Sequence, residues 1–231
     1  MRWRNIMIVG TSHIAAHSAA KVEKAISQFK PAVVALELDR TRYAALFSRR
    51  KRARLAALRR AGLRGWLLGS LGAFVERRLG KRVEVRPGIE MATAVRLARQ
   101  RGLRIELIDR EITLTLRKLV RAMSVSEKLR LIGDLGRALF VKQQELEAAG
   151  LDLRRVPSKA QLSSLLRIVR KRYPGLYRVL IAERDEHMAA RLATLIEARP
   201  RQRIVAVVGA GHAAQLMALL KQKLYKSSQK Q

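Results

Sequence analysis

The sequence contains four short apolar runs rich in β-branched residues, and these runs constrain the fold more than any other feature. They cover residues 5–10, 32–38, 104–109 and 203–209. Their lengths, and the glycine, proline or charged residues that bound them, are typical of buried strands. The first, second and fourth runs are almost continuously apolar, which favours a parallel sheet that is covered on both faces.

The segments between these runs have the spacing of amphipathic helices. We predict helices over 17–29, 41–60, 62–79, 88–101, 111–149, 158–173, 175–198 and 212–224. The helix at 88–101 follows Pro87 and stops at Gly102, as the usual positions of proline and glycine require. The stretch at 111–149 should break near Ser124, because Ser124 and Glu127 have the spacing of a capping box.

This order of elements predicts an α/β fold with a small, mostly parallel β-sheet flanked by helices. A large helical insertion, at about 111–200, precedes the last strand. No linker or repeat divides the chain, so we predict a single domain over 1–231 whose tail, 225–231, is frayed.

Polar side chains follow each predicted strand at the point where the strand ends. They belong to His13, Glu37, Asp39, Asp109, Arg110 and His212. Gly10 and Gly209 close the first and last strands, and a histidine follows each glycine three residues later. We expect these glycines to adopt unusual dihedral angles in tight turns. Because ligands bind beyond the carboxyl ends of parallel strands, we predict a site at this edge of the sheet.

The chemistry of this predicted site is limited by the absence of cysteine from the chain. A metal site must then use histidine, aspartate, glutamate or water. His13, His212 and Glu37 would suit a divalent cation that keeps positions open for water. The alternative is structural, because a single Gly-x-x-His is a weak signal, and Glu37 and Asp109 could equally be turn or cap residues.

Two helical segments carry further candidate residues. Glu90 lies in the first turn of the helix at 88–101, where the helix dipole favours a carboxylate in any case. Glu183 and His187 lie four residues apart on a helix, a spacing that more often forms a surface pair than a pair of ligands.

The net charge of +31 predicts attraction to polyanions such as nucleic acid or an anionic membrane surface. The basic residues are spread along the whole chain, so the alternative is a solvated basic surface without a specific partner. Aromatic residues make up only 4% of the chain, so few rings are available to stack on the bases of single-stranded nucleic acid.

Six blocks of the sequence are informative together: GTSHIAAHS, PAVVALELDRTRYAAL, PGIEMATAV, IELIDREITLTLRK, LIAERDEHMAARL and the run from 203 to 216 that contains VAVVGAGHAAQL. Together they resemble the TraB domain family, which includes the TraB and PrgY pheromone-shutdown proteins. Their order and spacing agree with the family over about residues 5–220. The wider group is similar to the Tiki proteases, GumN, the erythromycin esterases and the ChaN haem-binding proteins.

The resemblance implies a metal-dependent hydrolase of peptide or ester type. It implies that His13, Glu37 and His212 bind a divalent ion such as Mn, Co or Zn, and that Glu90 is the general base. The residues that would line the same crevice and bind substrate are Arg40, Asp109, Arg110, Arg184 and Asp185. The alternative that the resemblance leaves open is a module that binds or sequesters a peptide, a metal ion or a haem-like ligand without turnover.

The expected partners are a peptide or ester substrate, an anionic membrane or nucleic acid met through the basic charge, and a second copy of the chain in a homo-oligomer. The longest apolar stretch, 65–75, is well short of the roughly 20 residues of a membrane-spanning helix. We therefore expect a cytoplasmic protein, which could also lie at the membrane surface.

Overall fold

The computed structural model of the protein describes residues 1–11, 15–47, 88–140 and 159–229. These residues belong to two compact units. The first unit contains the described residues up to 47, those from 88 to 112 and those from 182 onward. The second contains the described residues within Thr113–Ile181.

A five-stranded sheet forms the centre of the first unit. Its strands are β1 Arg2–Trp3, β2 Ile6–Thr11, β3 Val33–Leu36, β4 Arg104–Leu107 and β5 Ile204–Gly209. The order across the sheet is β1-β2-β5-β3-β4, and only the pair β1–β2 is antiparallel within the described residues. The sheet therefore confirms the predicted α/β fold with a mostly parallel sheet.

The strands β2 to β5 lie within one or two residues of the four apolar runs, and β1 was not predicted. A two-residue strand carries no periodicity that a sequence pattern could reveal. It forms because the chain turns back at Arg4, whose φ of 47° closes a tight turn before β2.

Helices cover both faces of this sheet. In the first unit they are α1 Ala15–Phe29, α2 Arg40–Phe47, α3 Ile89–Gln100, α8 Glu183–Ala198 and α9 Ala210–Ser228. Along β5, Ile204, Ala206 and Val208 pack with α8 and α9, whereas Val205 and Val207 pack with α1 and α3. This alternation buries both faces of the strand, which is why the sequence of β5 is continuously apolar.

The ends of α3 agree with the glycine signals in the sequence. Gly88 precedes the helix with a φ of 89°, and Gly102 follows it with a φ of 62°. Both angles lie in the left-handed region, where a side chain is disfavoured. The described part of the helix predicted at 41–60 begins at Arg40 and reaches Phe47, and the helix predicted at 62–79 lies outside the described residues.

The second unit is helical in its described residues. It contains α4 Ile112–Ala122 from Thr113 on, α5 Val125–Phe140, α6 Lys159–Arg172, α7 Pro174–Tyr177 and most of a π-helix, Arg178–Ala182. The predicted capping box is confirmed, since Glu127 N donates to Ser124 Oγ at 3.1 Å and Ser124 N donates to Glu127 Oε2 at 2.9 Å. Glu127 Oε1 also accepts a hydrogen bond from Gly175 N at 2.8 Å.

Gly175 packs so closely that a side chain cannot be added there. A Cβ atom at Gly175 would lie 2.5 Å from the Ala122 carbonyl oxygen and 2.8 Å from Glu127 Oε2. We expect Gly175→Ala to lower the free energy of unfolding by about 1–3 kcal/mol, because backbone and capping box must both move. Gly133→Ala is the matched control, since nothing lies within 4 Å and alanine favours a helix by about 0.5–1 kcal/mol. Equal urea midpoints for the two variants would contradict this packing.

No helix in the described part of the chain is long and apolar enough to span a membrane.

Candidate functional site

The carboxyl ends of the parallel strands bring the predicted polar residues together in the first unit. Glu37 follows β3 directly, Asp109 lies two residues beyond β4, and His212 lies in the first turn of α9 after β5. The first turn of α8 contributes the ERD block, residues 183–185. A π-helix immediately precedes this turn, and π-helical segments occur frequently at functional sites.

Glu37 is the centre of this cluster. Its side chain is 9% exposed, and both carboxylate oxygens have partners. Oε2 accepts a hydrogen bond from the backbone N–H of Gly209 at 2.6 Å, and Oε1 accepts one from Arg184 Nη2 at 2.5 Å. His212 Nε2 lies 3.5 Å from the same Oε1 atom. The carboxylate is thus fixed between an arginine, a strand end and an imidazole.

The two glycines that close β2 and β5 do not have the unusual dihedral angles that we expected. Gly209 has φ −61° and ψ 145°, an extended conformation open to any residue, and Gly10 is not among the residues with positive φ. Their role is close approach instead. A Cβ at Gly209 would lie 3.4 Å from Glu37 Oε2, and one at Gly10 would lie 3.1 Å from Ala213 Cβ.

His212 is held by Asp185 from the side opposite to Glu37. Asp185 Oδ1 lies 2.7 Å from His212 Nδ1, and Asp185 has no exposed surface. Burial lowers the pKa of His212, but the hydrogen bond to Asp185 and the charge of Glu37 outweigh it and raise the pKa. Burial raises the pKa of Asp185. Both directions mean that this pair holds its proton more tightly than two separate groups would.

Arg184 joins Glu37 to the buried carboxylate of Asp109. Arg184 Nε and Nη2 donate to the two oxygens of Asp109 at 3.0 and 2.7 Å, which is a bidentate pair. Arg42 Nη1 donates to Asp109 Oδ2 at 3.0 Å from a partly exposed position. Hydrogen bonds therefore connect Arg42 to Asp109, Asp109 to Arg184 and Arg184 to Glu37 in one continuous chain.

Asp109 should be ionised well into the acid range. Burial raises its pKa, but hydrogen bonds and charge from Arg184, with the charge of Arg42, outweigh this and lower the pKa below 3.8. Since the folded-state pKa is the lower one, its stabilising contribution is complete above about pH 4 and is lost as the pH falls through the folded value. We expect a carboxyl ¹³C titration of Asp109 to have its midpoint below 3.8, and Arg42→Met to raise it. A wild-type midpoint above 3.8 would contradict the paired geometry.

Three consecutive residues of α8 contact three different segments of the chain. Besides Arg184 and Asp185, Glu183 Oε2 accepts Arg110 Nη1 at 2.9 Å. Successive residues of a helix point about 100° apart, so this turn must lie between its partners. Glu183 was considered only together with His187, and Arg42 was not assigned to the predicted site. The spacing of Glu183 and His187 suggested a local surface pair, whereas Glu183 binds Arg110 across the fold.

Other predicted site residues are not joined to the cluster by these hydrogen bonds. Glu90 is buried in the first turn of α3, a helix that packs against β3 and β4. Arg40 is exposed at the first residue of α2, and its side chain makes no hydrogen bond or ion pair with the described residues. His13 lies outside the described residues. The predicted metal-binding set of His13, Glu37 and His212 therefore stays a prediction.

The described residues contain no group of three or more histidine and carboxylate side chains arranged to hold a metal ion. They do contain two potential ligand atoms of the predicted metal-binding set that face each other, Glu37 Oε1 and His212 Nε2. Within the same part of the chain, the Oδ2 atoms of Asp39 and Asp185 are buried and accept no hydrogen bond. Asp39 uses its other oxygen to cap α2, accepting Thr41 N at 2.7 Å.

The chain is similar to several known proteins over almost its whole length. It is 32% identical over 222 residues to an uncharacterised protein of Methanocaldococcus jannaschii, with 94% of this chain and 53% of that protein covered. It is 28% identical over 232 residues to the TraB domain-containing proteins of Bos taurus and Homo sapiens, with 90% of this chain and 60% of each relative covered. The chain thus spans between half and two thirds of the length of these relatives.

A family model gives the broader assignment. The model of the TraB/PrgY/gumN family matches residues 3–229. The match includes Trp3 of β1, the whole of β2 to β5, and both helices, α8 and α9, that supply the cluster. It confirms the resemblance that the six sequence blocks indicated. The chain belongs to the TraB/PrgY/gumN family.

Proposed function

We propose that the protein is a metal-dependent hydrolase of peptide or ester bonds, with its site at the carboxyl ends of β3, β4 and β5. The observation that carries this proposal is the row Asp185–His212–Glu37. Asp185 binds one ring nitrogen of His212, and the other nitrogen faces Glu37. Histidines that bind metals commonly donate their second N–H to a carboxylate in this way, which fixes the tautomer and the ring.

The distance between the two proposed ligand atoms fits a divalent ion. Glu37 Oε1 and His212 Nε2 lie 3.5 Å apart, and two ligands of a tetrahedral zinc site with bonds of about 2.1 Å lie about 3.4 Å apart. His13 is the third proposed ligand, as the family resemblance implies. When bound, the ion would lower the pKa of water and polarise a carbonyl group.

The other residues of the proposed site bind, orient and accept protons. Gly209 N–H and Arg184 hold the Glu37 carboxylate in place. Asp185 has no exposed surface, so we assign it to orienting His212 rather than to touching substrate. Glu90 is the proposed acceptor of the proton of the attacking water. Arg40, exposed and unengaged by the described residues, is suited to bind a carboxylate of the substrate.

A second candidate function is a module that binds a peptide, a metal ion or a haem-like ligand without turnover. The observation that favours it is that the Glu37 carboxylate is already paired, since its Oε1 atom accepts a hydrogen bond from Arg184. A site whose charges are paired before the ligand arrives is suited to holding a ligand in one orientation.

A hydrolysis screen with peptide and ester substrates, each with added Mn, Co or Zn, separates the two functions. Glu37→Gln removes the proposed ligand, and Glu186→Gln removes a neighbouring carboxylate on α8 that is 61% exposed. We expect turnover in the wild type and in Glu186→Gln, and a loss of at least about 100-fold in Glu37→Gln. Metal binding without turnover would support the binding module. Equal turnover in all three proteins would exclude the proposed site.

A further inference from the structure

The opposite, amino edge of the sheet presents a row of exposed cations. The residues that begin the four parallel strands, Ile6, Ile204, Val33 and Arg104, lie side by side in the strand register. The turns that lead into these strands therefore end at one level. Neighbouring strands lie about 4.8 Å apart, so the turns cover about 15 Å along the edge.

These turns contain positive residues and no acidic ones. The segments that contain them are MRWRN at 1–5, which includes β1, KPA at 30–32, RGL at 101–103 and RPRQR at 199–203. The exposed cations that we use to define the amino-edge surface are Arg4, Lys30, Arg101, Arg201, Arg203 and Lys221 of α9. The helix dipole favours cations such as Lys30 and Arg101 at helix ends, but it does not account for Arg4, Arg201 and Arg203.

A recess at one end of the amino-edge surface combines these charges with aromatic rings. It has a volume of about 370 Å³ and is lined by Trp3, Arg4, Lys221, Gln222 and Tyr225. The Arg4 guanidinium lies 4.6 Å from the centre of the Trp3 ring, while Tyr225 is 64% exposed. A ring that is held at the rim and open to solvent can stack on a planar base.

We propose that the amino-edge surface binds single-stranded nucleic acid, with the turns contacting phosphates and Tyr225 stacking on a base. Most of the defining cations are arginines, whose planar forks match phosphate oxygens. An anionic membrane is the other polyanion that these cations could attract. Peripheral membrane surfaces combine cations with several protruding apolar side chains. Among the described residues beside these turns, only Met1 and Tyr225 are strongly exposed large hydrophobic side chains, which favours nucleic acid.

The experiment must separate this surface from the field of a chain whose net charge is +31. The edge variant changes Arg4, Arg201, Arg203 and Lys221 to glutamine. The control variant changes Arg117, Arg121, Arg167 and Lys171, which are exposed on α4 and α6, to glutamine. Both remove the same amount of charge. Binding of a fluorescent oligothymidylate of about 16 nucleotides is measured by anisotropy over a range of salt concentrations.

We expect the edge variant to bind at least about tenfold more weakly and its slope of log K against log salt to fall by about 2–3. The control variant should keep its slope within about 0.7 of the wild type, the value of one phosphate contact. Tyr225→Ala should weaken binding at least about fivefold, and Tyr225→Phe should restore it.

Two results would overturn the proposal. Equal losses in the edge and control variants would show that binding reflects the total charge alone. An edge variant that loses binding to phosphatidylserine vesicles but keeps its oligothymidylate binding would assign the surface to a membrane instead.

Discussion

Replacing Arg184 by methionine is expected to lower the free energy of unfolding by about 3–5 kcal/mol. The side chain of Arg184 is 16% exposed and neutralises Asp109, whose side chain is 2% exposed, as well as Glu37. Methionine fills much of the same volume but leaves two carboxylates without this charge. The cost is therefore that of buried, unpaired charge rather than of lost packing, and urea denaturation at neutral pH measures it.

Two further variants test this explanation of the Arg184 effect. Arg42→Met removes the second guanidinium that contacts Asp109. Because Arg42 is 43% exposed, we expect this variant to lower the free energy of unfolding by only about 0–1 kcal/mol. Adding Asp109→Leu to Arg184→Met removes the buried carboxylate and should recover part of the lost stability. A double variant that is less stable than Arg184→Met would show that packing, not charge, sets the effect.

Changing Asp185 to asparagine is expected to weaken metal binding, or activity, by about 10–100-fold while leaving the fold intact. The amide has nearly the shape of the carboxylate, so the buried position stays filled. It has no charge, however, and it can donate to His212 Nδ1, which would put the ring proton on the nitrogen that faces Glu37. The pKa of His212 should fall, because the hydrogen bond to the carboxylate that raises it is lost.

The His212 imidazole can be followed directly by NMR titration in both proteins. Glu186→Gln is again the control, because Glu186 is the next residue on α8 but, among the described residues, its carboxylate pairs only with Lys223, at 3.6 Å on the surface. We expect it to leave both the His212 pKa and the metal affinity unchanged. An Asp185→Asn protein with the wild-type His212 pKa would mean that Asp185 does not control this ring.

The strands and the site edge could be predicted from sequence because each has a local signal. Strands buried on both faces need continuous apolar runs, and parallel strands place the residues that follow them at one edge. From these two rules we predict that Glu37, Asp109 and His212 lie near one another. In the structure, Arg184 joins Glu37 to Asp109, and His212 lies beside Glu37. The capping box at Ser124 was equally local, since its two partners are three residues apart.

The pairings inside the cluster could not be predicted because they join distant segments. Nothing in ERD indicates that Glu183 binds Arg110, that Arg184 binds Glu37 and Asp109, or that Asp185 binds His212. These pairings depend on the position of α8 over the sheet, which packing decides. The roles of Gly10 and Gly209 were missed for the same reason, since a close approach to a neighbouring segment leaves no mark in the local sequence.

Metal content decides whether His212 and Glu37 form part of a metal site. Wild-type protein and His212→Ala are loaded with Mn, Co or Zn, dialysed extensively and analysed for bound metal, with circular dichroism to confirm that both are folded. We expect about one ion per wild-type chain and a loss of most of it in His212→Ala. Equal metal in the two proteins, or none in the wild type with any of the three ions, would rule out the proposed metal site.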